Sequence, residues 1–246
     1  MTDRVALVQG ANRGLGLAFV RELLADPGYG RVIATCRRPE DAAELNALAE
    51  NSALELRRLD VTDEASMAAA AEGVNAVHLL LNVSGLLHRG DAVQPEKKLG
   101  QLDPSAMAEV FAINAFGPAL VAKHFAEALT RHKTPAVLAN LSARVGSVGD
   151  NRLGGWYSYR ASKAAQNMFT KNLSIELTRR NPQLVVLALH PGTVDTGLSK
   201  PFQRGVPEGK LFDAERAARQ LLSICARATP EENGAFFDWA GASVPW

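Results

Sequence analysis

The sequence predicts an α/β fold in which a doubly wound, parallel sheet of about seven strands carries helices on both faces. Three observations carry this prediction. Short segments rich in β-branched residues alternate with segments of helical periodicity along all 246 residues. Several of the strand segments are uninterrupted apolar runs, which is typical of strands buried on both faces. Each alternation also supplies the helical crossover that two parallel strands need.

The first half of the chain contains three strand–helix repeats and a fourth strand. Residues 4–9 (RVALVQ) are predicted to form a strand, and the apolar spacing over 14–25 predicts a helix, which Asp26-Pro27-Gly28 ends. The remaining elements of this half are a strand at 31–36, a helix at 40–50, a strand at 54–59, a helix at 63–72 and a strand at 77–81.

The second half begins with a polar loop over 86–103 and a long helix that starts at Asp103-Pro104 and runs to about residue 131. The later elements are a strand at 136–141, a helix at 156–180, a strand at 184–189, a helix at 214–227 and a strand at 235–239. No repeat or linker divides them, so one domain over 1–246 is predicted. The segment 197–212 is rich in glycine and proline and is expected to be a substrate lid or an ordinary surface excursion.

Composition argues against several classes of function. Lysine plus arginine number 27 and aspartate plus glutamate 26, so no overall charge favours nucleic acid. Cys36 and Cys225 form no CxxC pair, and the five histidines lack metal-ligand spacing, so neither a disulfide framework nor a metal site is predicted. The N-terminus resembles no signal peptide and no long apolar run occurs, so a cytoplasmic protein without membrane segments is expected.

A glycine-rich turn joins the first strand to the first helix. Gly10, Gly14 and Gly16 follow the pattern Gly-x3-Gly-x-Gly. Glycines at this point let the backbone approach a pyrophosphate, whose charge is met by the unpaired N–H groups of the helix. The position between a strand and a helix therefore predicts a dinucleotide-binding Rossmann fold.

Two arginines follow the second strand, where many dinucleotide sites place a carboxylate on the adenosine ribose. Arg37 and Arg38 stand there, and Arg13 lies in the glycine turn. A guanidinium holds a 2′-phosphate through parallel hydrogen bonds, so NADP(H) is favoured over NAD(H). The alternative is that Arg37 and Arg38 are solvated loop charges.

Tyr159 and Lys163 lie four residues apart on a predicted helix and so share one face. A free tyrosine titrates at about pH 10, and a nearby ammonium favours the phenolate. The pair is therefore predicted to carry acid–base chemistry. Such a spacing also arises by chance on surface helices, but the glycine turn upstream favours the functional interpretation.

Six motifs in order resemble the short-chain dehydrogenase/reductases over essentially the whole chain. They are Gly10-x3-Gly14-x-Gly16, Asp60, Asn82-Val83-Ser84-Gly85, Asn114, Tyr159-Arg160-Ala161-Ser162-Lys163 and Pro191-Gly192-Thr193-Val194-Asp195-Thr196. The segment 155–163 and the C-terminal residues 237–246 look more narrowly like the subgroup that contains the bacterial C-factor signalling protein and the sniffer-type carbonyl reductases.

This resemblance implies a nicotinamide-dependent interconversion of a carbonyl and an alcohol. Tyr159 would protonate the carbonyl oxygen, Lys163 would lower the pKa of Tyr159 and bind the nicotinamide ribose, and Asn114 would hold a proton-relaying water. The cofactor-binding residues that the motifs and the family imply are Gly10, Asn12, Arg13, Gly14, Leu15, Gly16, Arg37, Asp60, Val61, Asn82, Val83, Ser84, Gly85, Tyr159, Lys163, Pro191, Gly192, Val194 and Thr196.

Three departures from the family pattern limit the comparison. Gln9 replaces a threonine, and Val83-Ser84 replace asparagine and alanine. Ala143 stands where the family has the serine that orients the carbonyl. Ser142 is predicted to replace that serine; Ser147, or Tyr159 acting alone, are the alternatives.

Two other functions and an assembly state follow from the same residues. The C-factor resemblance and Ala143 keep open a signalling or cofactor-binding protein with weak or no turnover. A sugar-nucleotide epimerase or dehydratase is disfavoured because the chain lacks room for its additional domain. The helices that carry Asn114 and Tyr159, with the apolar end Val244-Pro245-Trp246, predict a homodimer or homotetramer.

Overall fold

Seven parallel strands form the central sheet of the computed structural model, which describes residues 4–246. With two short strands that lie outside this sheet, β7 and β8, the strands of the described residues in chain order are β1 (Val5–Gln9), β2 (Arg31–Cys36), β3 (Leu54–Arg58), β4 (Leu79–Asn82), β5 (Ala136–Leu141), β6 (Leu184–His190), β7 (Thr193–Val194), β8 (Leu211–Phe212) and β9 (Phe236–Asp238). The sheet order is β3-β2-β1-β4-β5-β6-β9, and β7 pairs with β8 separately. The predicted doubly wound Rossmann sheet is thus confirmed, with its strand order reversing between β1 and β4.

Helices cover both faces of this sheet. They are α1 (Gly14–Ala25), α2 (Ala43–Asn46), α3 (Glu64–Ala71), α4 (Pro104–Phe111), α5 (Gly117–Thr130), α6 (Tyr157–Thr178) and α7 (Ala214–Arg227). One face packs a core that includes Phe19 of α1 and Leu221 of α7, and the other packs Met67, Phe125 and Leu177 from α3, α5 and α6. Burial of these apolar faces against the strands supplies the main driving force for folding.

Aspartates begin three of the helices. Asp63, Asp103 and Asp213 accept hydrogen bonds from backbone N–H groups in the first turns of α3, α4 and α7. By contrast, α1 starts at Arg13 with no side-chain cap and no acidic residue in its first turn. The N–H groups at the start of α1 therefore remain available to an anion.

The structure corrects two predicted helices. The helix expected over 40–50 is only the four-residue α2, preceded by a 3₁₀ turn over Pro39–Asp41, and its one buried residue is Leu45. A single buried residue does not provide the apolar face that a longer amphipathic helix needs. The long helix from Pro104 contains a π-helical segment over Ala112–Phe116 between α4 and α5, where Gly117 N–H bonds the carbonyl oxygen of Ala112.

The helical run Pro104–Thr130 is long and apolar enough to cross a membrane by length and composition alone. In the structure its residues Val121, Phe125 and Leu129 are fully buried in the core against the sheet. One side of this helical run therefore packs against the sheet.

Candidate active site

A cleft of about 940 Å³ lies at the carboxyl ends of the central strands. It is the position at which doubly wound sheets bind ligands. The structure brings nearly all of the sequence-predicted site residues to this cleft; they are Gly10, Asn12, Arg13, Gly14, Leu15, Gly16, Arg37, Asp60, Val61, Val83, Ser84, Gly85, Ser142, Tyr159, Lys163, Pro191, Gly192, Val194 and Thr196. Asn82 and Asn114 do not line it and are fully buried behind it.

The glycine turn forms one wall of the cleft. Gly10 has a φ of 87°, and a Cβ on it would lie 2.6 Å from Ser84 Oγ. A Cβ on Gly16 would lie 2.1 Å from the carbonyl oxygen of Gly10, so only glycine allows α1 to approach the turn this closely. Together with the uncapped start of α1, this backbone cradle fits the pyrophosphate of a dinucleotide.

The adjacent end of the cleft is lined by cationic side chains. Arg13, Arg37 and Arg38 all face it. Arg38 forms an ion pair with Asp41 at 3.1 Å, whereas no ion pair involves Arg13 or Arg37 within residues 4–246. Two guanidinium groups beside the glycine turn are thus available to a phosphate.

Tyr159 and Lys163 lie on the buried face of α6 at the other end of the cleft. Lys163 Nζ is 5.9 Å from the centre of the Tyr159 ring. Burial raises the pKa of Tyr159 to about 12 and lowers the pKa of Lys163 to about 7. Each shift favours the neutral form of a buried group. The lowering of the Tyr159 pKa by Lys163 stays a prediction.

Asn114 lies in the π-helical segment and joins three elements. Its Oδ1 accepts a hydrogen bond from Leu86 N–H at 2.7 Å, and its Nδ2 donates to the carbonyl oxygen of Leu86 at 2.8 Å and to Ser162 Oγ at 3.1 Å. The side chain therefore fixes the loop after β4 and α6 relative to each other. Its role in holding a water stays a prediction.

The hydroxyl of Ser142 is engaged away from the acid–base pair. Ser142 Oγ donates to Asn167 Oδ1 at 2.6 Å, two turns along α6 from Tyr159. Ala143 lines the cleft as well, and Ser147 does not. Among residues 4–246 the Ser142 hydroxyl thus bonds Asn167 and makes no hydrogen bond to Tyr159.

Gln9 and Ser84, two of the departures from the family pattern, bind each other. Gln9 Nε2 donates to Ser84 Oγ at 2.6 Å, and Ser84 N–H donates to Gln9 Oε1 at 3.2 Å. β1 and β4 are neighbours in the sheet, where Gln9 is in register with Asn82, and Ser84 follows two residues after the end of β4. At the position where the family has threonine, Gln9 therefore bonds the loop after β4.

Three aromatic rings line the end of the cleft near Tyr159, and one of them, Phe202, belongs to the segment expected to be a lid. Trp156, at the start of α6, lies 5.1 Å from Phe202 and 6.2 Å from Tyr159, ring centre to ring centre. His88 packs on Phe202 at 5.6 Å and bonds the carbonyl oxygen of Gly197 at 3.0 Å through Nε2. Trp156 adopts a left-handed backbone, φ 50°, which no local sequence signal indicates. The segment 197–212 thus lines the cleft; its motion as a lid stays a prediction.

Comparison with known proteins assigns the family. The family model for short chain dehydrogenases matches residues 4–206. The chain is a short-chain dehydrogenase/reductase. This member is 38% identical over 148 residues to the C-signal protein of Myxococcus xanthus, an alignment that covers 60% of this chain and 83% of that protein.

Two solved carbonyl reductases share the fold of this short-chain dehydrogenase/reductase. NADPH-bound carbonyl reductase from chicken fatty liver superimposes with a TM-score of 0.87 and 29% identity, covering 100% of this chain and 95% of that one. Carbonyl reductase Sniffer of D. melanogaster gives a TM-score of 0.87 and 25% identity, covering 100% of both chains. The resemblance to C-factor and sniffer-type proteins is confirmed, and the protein is an NAD(P)-dependent oxidoreductase of this family.

Proposed function

We propose that this protein is an NADPH-dependent carbonyl reductase that converts small or medium-sized aldehydes, ketones or quinones into alcohols. The observation that carries the proposal is one cleft with two distinct ends. Tyr159 and Lys163 lie buried at one end, and the glycine turn with Arg13 and Arg37 forms the other. Carbonyl reductases from chicken and fly with the same fold support this substrate class.

The acid–base residues have separate tasks in this mechanism. NADPH, when bound, supplies the hydride that the carbonyl carbon accepts. Tyr159 donates its phenolic proton to the carbonyl oxygen, and its burial excludes water from that proton transfer. Lys163 in its charged form stabilises the phenolate that remains. Asn114 keeps the loop after β4 against α6 and holds the water that returns a proton to Lys163.

Nucleotide binding is assigned to the opposite end of the cleft. The N–H groups at the start of α1 hold the pyrophosphate, and Arg37 with Arg13 hold the 2′-phosphate. Asp60 and Val61 would border the adenine, Val83 to Gly85 the ribose and nicotinamide, and Val194 and Thr196 the carboxamide. Asn82 supports this wall from behind, since its Nδ2 donates to Asn140 Oδ1 at 2.8 Å.

Turnover of a carbonyl panel tests the proposal. The purified protein is mixed with NADPH and, one at a time, with aldehydes, ketones and quinones, and the absorbance of the reduced nicotinamide is followed. We expect its loss with at least one carbonyl class, faster with NADPH than with NADH. No turnover with any of them, although NADPH binds, would contradict the proposal.

A second candidate function is recognition or signalling by the cofactor-loaded fold. Two observations favour it: the similarity to C-signal and the missing serine at Ala143. Tight NADPH binding without turnover in the carbonyl panel is the result that this candidate predicts.

The proposal also includes an assembly state and a location. Phe116, Met168 and Ile175 are exposed apolar side chains on the helical run before α5 and on α6. A second copy that covered these side chains would remove apolar surface from water, which supports a homodimer or homotetramer. Sedimentation at micromolar concentration checks this, and a monomer contradicts it. We place the protein, soluble like its enzyme relatives, in the cytoplasm.

A further inference from the structure

Gln166 touches the lysine of the acid–base pair from within the protein. It lies on α6 three residues after Lys163 and is 1% exposed. Its Oε1 accepts a hydrogen bond from Lys163 Nζ at 3.1 Å, and the carbonyl oxygen of Leu141 accepts another at 2.7 Å. Because an ammonium only donates hydrogen bonds, the oxygen of the amide must face it. None of the motifs that identify the family includes Gln166.

We propose that Gln166 is a positioning residue that holds the ammonium of Lys163 at the base of the cleft. The inference rests on the proposed function for its catalytic meaning. An ammonium has three donors, and Leu141 and Gln166 take two of them. Lys163 lines the cleft, and so does Gly85, whose Cβ would lie 3.8 Å from the same nitrogen. The third donor is thereby kept for the cleft.

A purely structural role explains Gln166 poorly. Its Nε2 is buried and has no hydrogen-bond partner among residues 4–246. An unpaired buried amide donor is destabilising, whereas a leucine of similar size fills the same space without that penalty. The buried amide of Gln166 therefore destabilises the fold through its unpaired Nε2. The side-chain hydrogen bond that it does make is the one from Lys163.

No charge compensates Lys163 in its surroundings. Burial is the cause of its lowered pKa, and no carboxylate contributes. The ionisable side chains on α6 and on the elements packed against it are Tyr157, Tyr159, Arg160, Lys171 and Glu176 on α6, Glu109 on α4, Lys123, His124 and Glu127 on α5, Arg144 after β5, which forms an ion pair with Asp150, and His190 at the end of β6. The two neutral acceptors are therefore the contacts that favour the ammonium against the effect of burial, and the Gln166 oxygen is one of them.

Three variants test the proposal in cofactor-free protein, where turnover plays no part. Gln166→Leu and Gln166→Met remove the acceptor, and Gln166→Glu strengthens it. The pKa of Lys163 is measured by NMR of [ε-¹³C]lysine-labelled protein, with its signal assigned from Lys163→Met. We expect a decrease of about one unit in the Leu and Met variants, because a hydrogen bond to a charged group is lost, and an increase in the Glu variant. Gln220→Leu, the same change on α7, is the matched control and should leave the pKa unaltered.

The pH dependence of kcat should move with the pKa of Lys163. Its alkaline limb shifts to lower pH in the Leu and Met variants and to higher pH in the Glu variant. An unchanged Lys163 pKa in Leu and Met, or the same shift in Gln220→Leu, overturns the proposal. If Gln166→Leu does not fold, the Met and Glu variants decide. If the Lys163 pKa shifts as expected but the protein reduces no carbonyl, the proposed function is contradicted and the positioning of Lys163 by Gln166 is still supported.

Discussion

Single charges distinguish the two ends of the cleft. The whole chain has a formal charge of +1, yet Arg13 and Arg37 face the nucleotide end of the cleft without an ion pair within the described residues. A charge-assisted hydrogen bond from a guanidinium to a phosphate contributes about 1.5–3 kcal/mol. The proposed preference for NADPH therefore rests on individual side chains that the net charge conceals.

Arg37→Ala should weaken NADPH binding roughly tenfold to a hundredfold and NADH binding by less than about twofold, because only NADPH carries the 2′-phosphate. Dissociation constants from nicotinamide fluorescence check this. Arg21→Ala, which removes an arginine bonded to Glu44 outside the cleft, is the control. Equal weakening of both cofactors would refute the 2′-phosphate role.

The missing serine gives a second prediction at this scale. Ala143 lines the cleft, Ser142 Oγ donates to Asn167, and within residues 4–246 no serine hydroxyl bonds Tyr159. Ala143→Ser should raise kcat/KM by about tenfold or more, since one oxyanion donor is worth about 10²–10³ in an evolved site. Ser142→Ala should lower it by less than about tenfold. Steady-state kinetics decide, and a loss of two orders of magnitude in Ser142→Ala would restore Ser142 as the orienting hydroxyl.

At the scale of elements, the start of α6 depends on a residue from a distant loop. Trp156 offers no side-chain cap to this helix. Glu96, which is 5% exposed, accepts hydrogen bonds instead from Ser158 N–H at 3.1 Å and from Ser158 Oγ. Its carboxylate also lies at the positive end of the helix dipole. The loop after β4 therefore places the first turn that carries Tyr159.

Glu96→Ala should destabilise the fold by about 2–4 kcal/mol, because it leaves buried donors without an acceptor and removes the cap. For a chain of this size the melting temperature should fall by roughly 4–16 °C, which calorimetry measures. Glu96→Gln keeps an acceptor, so its melting temperature should fall less. Glu208→Ala, at an exposed site, should leave the melting temperature almost unchanged. A melting temperature unchanged in Glu96→Ala contradicts this capping role.

Elements were predictable where the pattern was local. The strands β1, β2 and β5 are apolar runs whose bounds match within a residue, because burial on both faces leaves a continuous signal. The π-helical segment at Asn114 and the left-handed Trp156 had no such signal. Both arise from packing against distant parts of the chain, as the bonds from Asn114 to Leu86 and Ser162 show.

At the scale of the whole molecule, two partly buried histidines make stability depend on pH. Burial lowers the pKa of His78 and of His190 to about 4, from 6.5 in the unfolded chain. His78 Nδ1 accepts a hydrogen bond from Val5 N–H at 3.1 Å, which protonation would remove. Both groups therefore stabilise the fold fully above pH 6.5, and this contribution is lost as the pH falls toward 4.

The urea midpoint of unfolding should accordingly decrease between pH 7 and pH 5, before most carboxylates titrate. In His78→Gln, which keeps an acceptor but does not titrate, the decrease should be smaller. A midpoint that stays constant over this range would contradict the burial of neutral histidines.

The site was predictable as a set of residues and not as a geometry. The motifs at Gly10, Asn82 and Tyr159 follow three different strands, and the switch-point rule already predicts that their positions meet at one sheet edge. Which way a side chain points was not predictable. Ser142 bonds Asn167, and Gln166 bonds Lys163, because those directions depend on how α6 packs against β5.

Turnover by Tyr159→Phe tests the central claim most directly. With a carbonyl that the wild type reduces, kcat should fall by about 10²- to 10⁴-fold, the usual share of a general acid, while the NADPH dissociation constant changes by less than about twofold. Tyr157→Phe, two residues earlier and outside the cleft, should retain full activity. Reduction by Tyr159→Phe at the wild-type rate would contradict the assignment of the proton transfer to Tyr159.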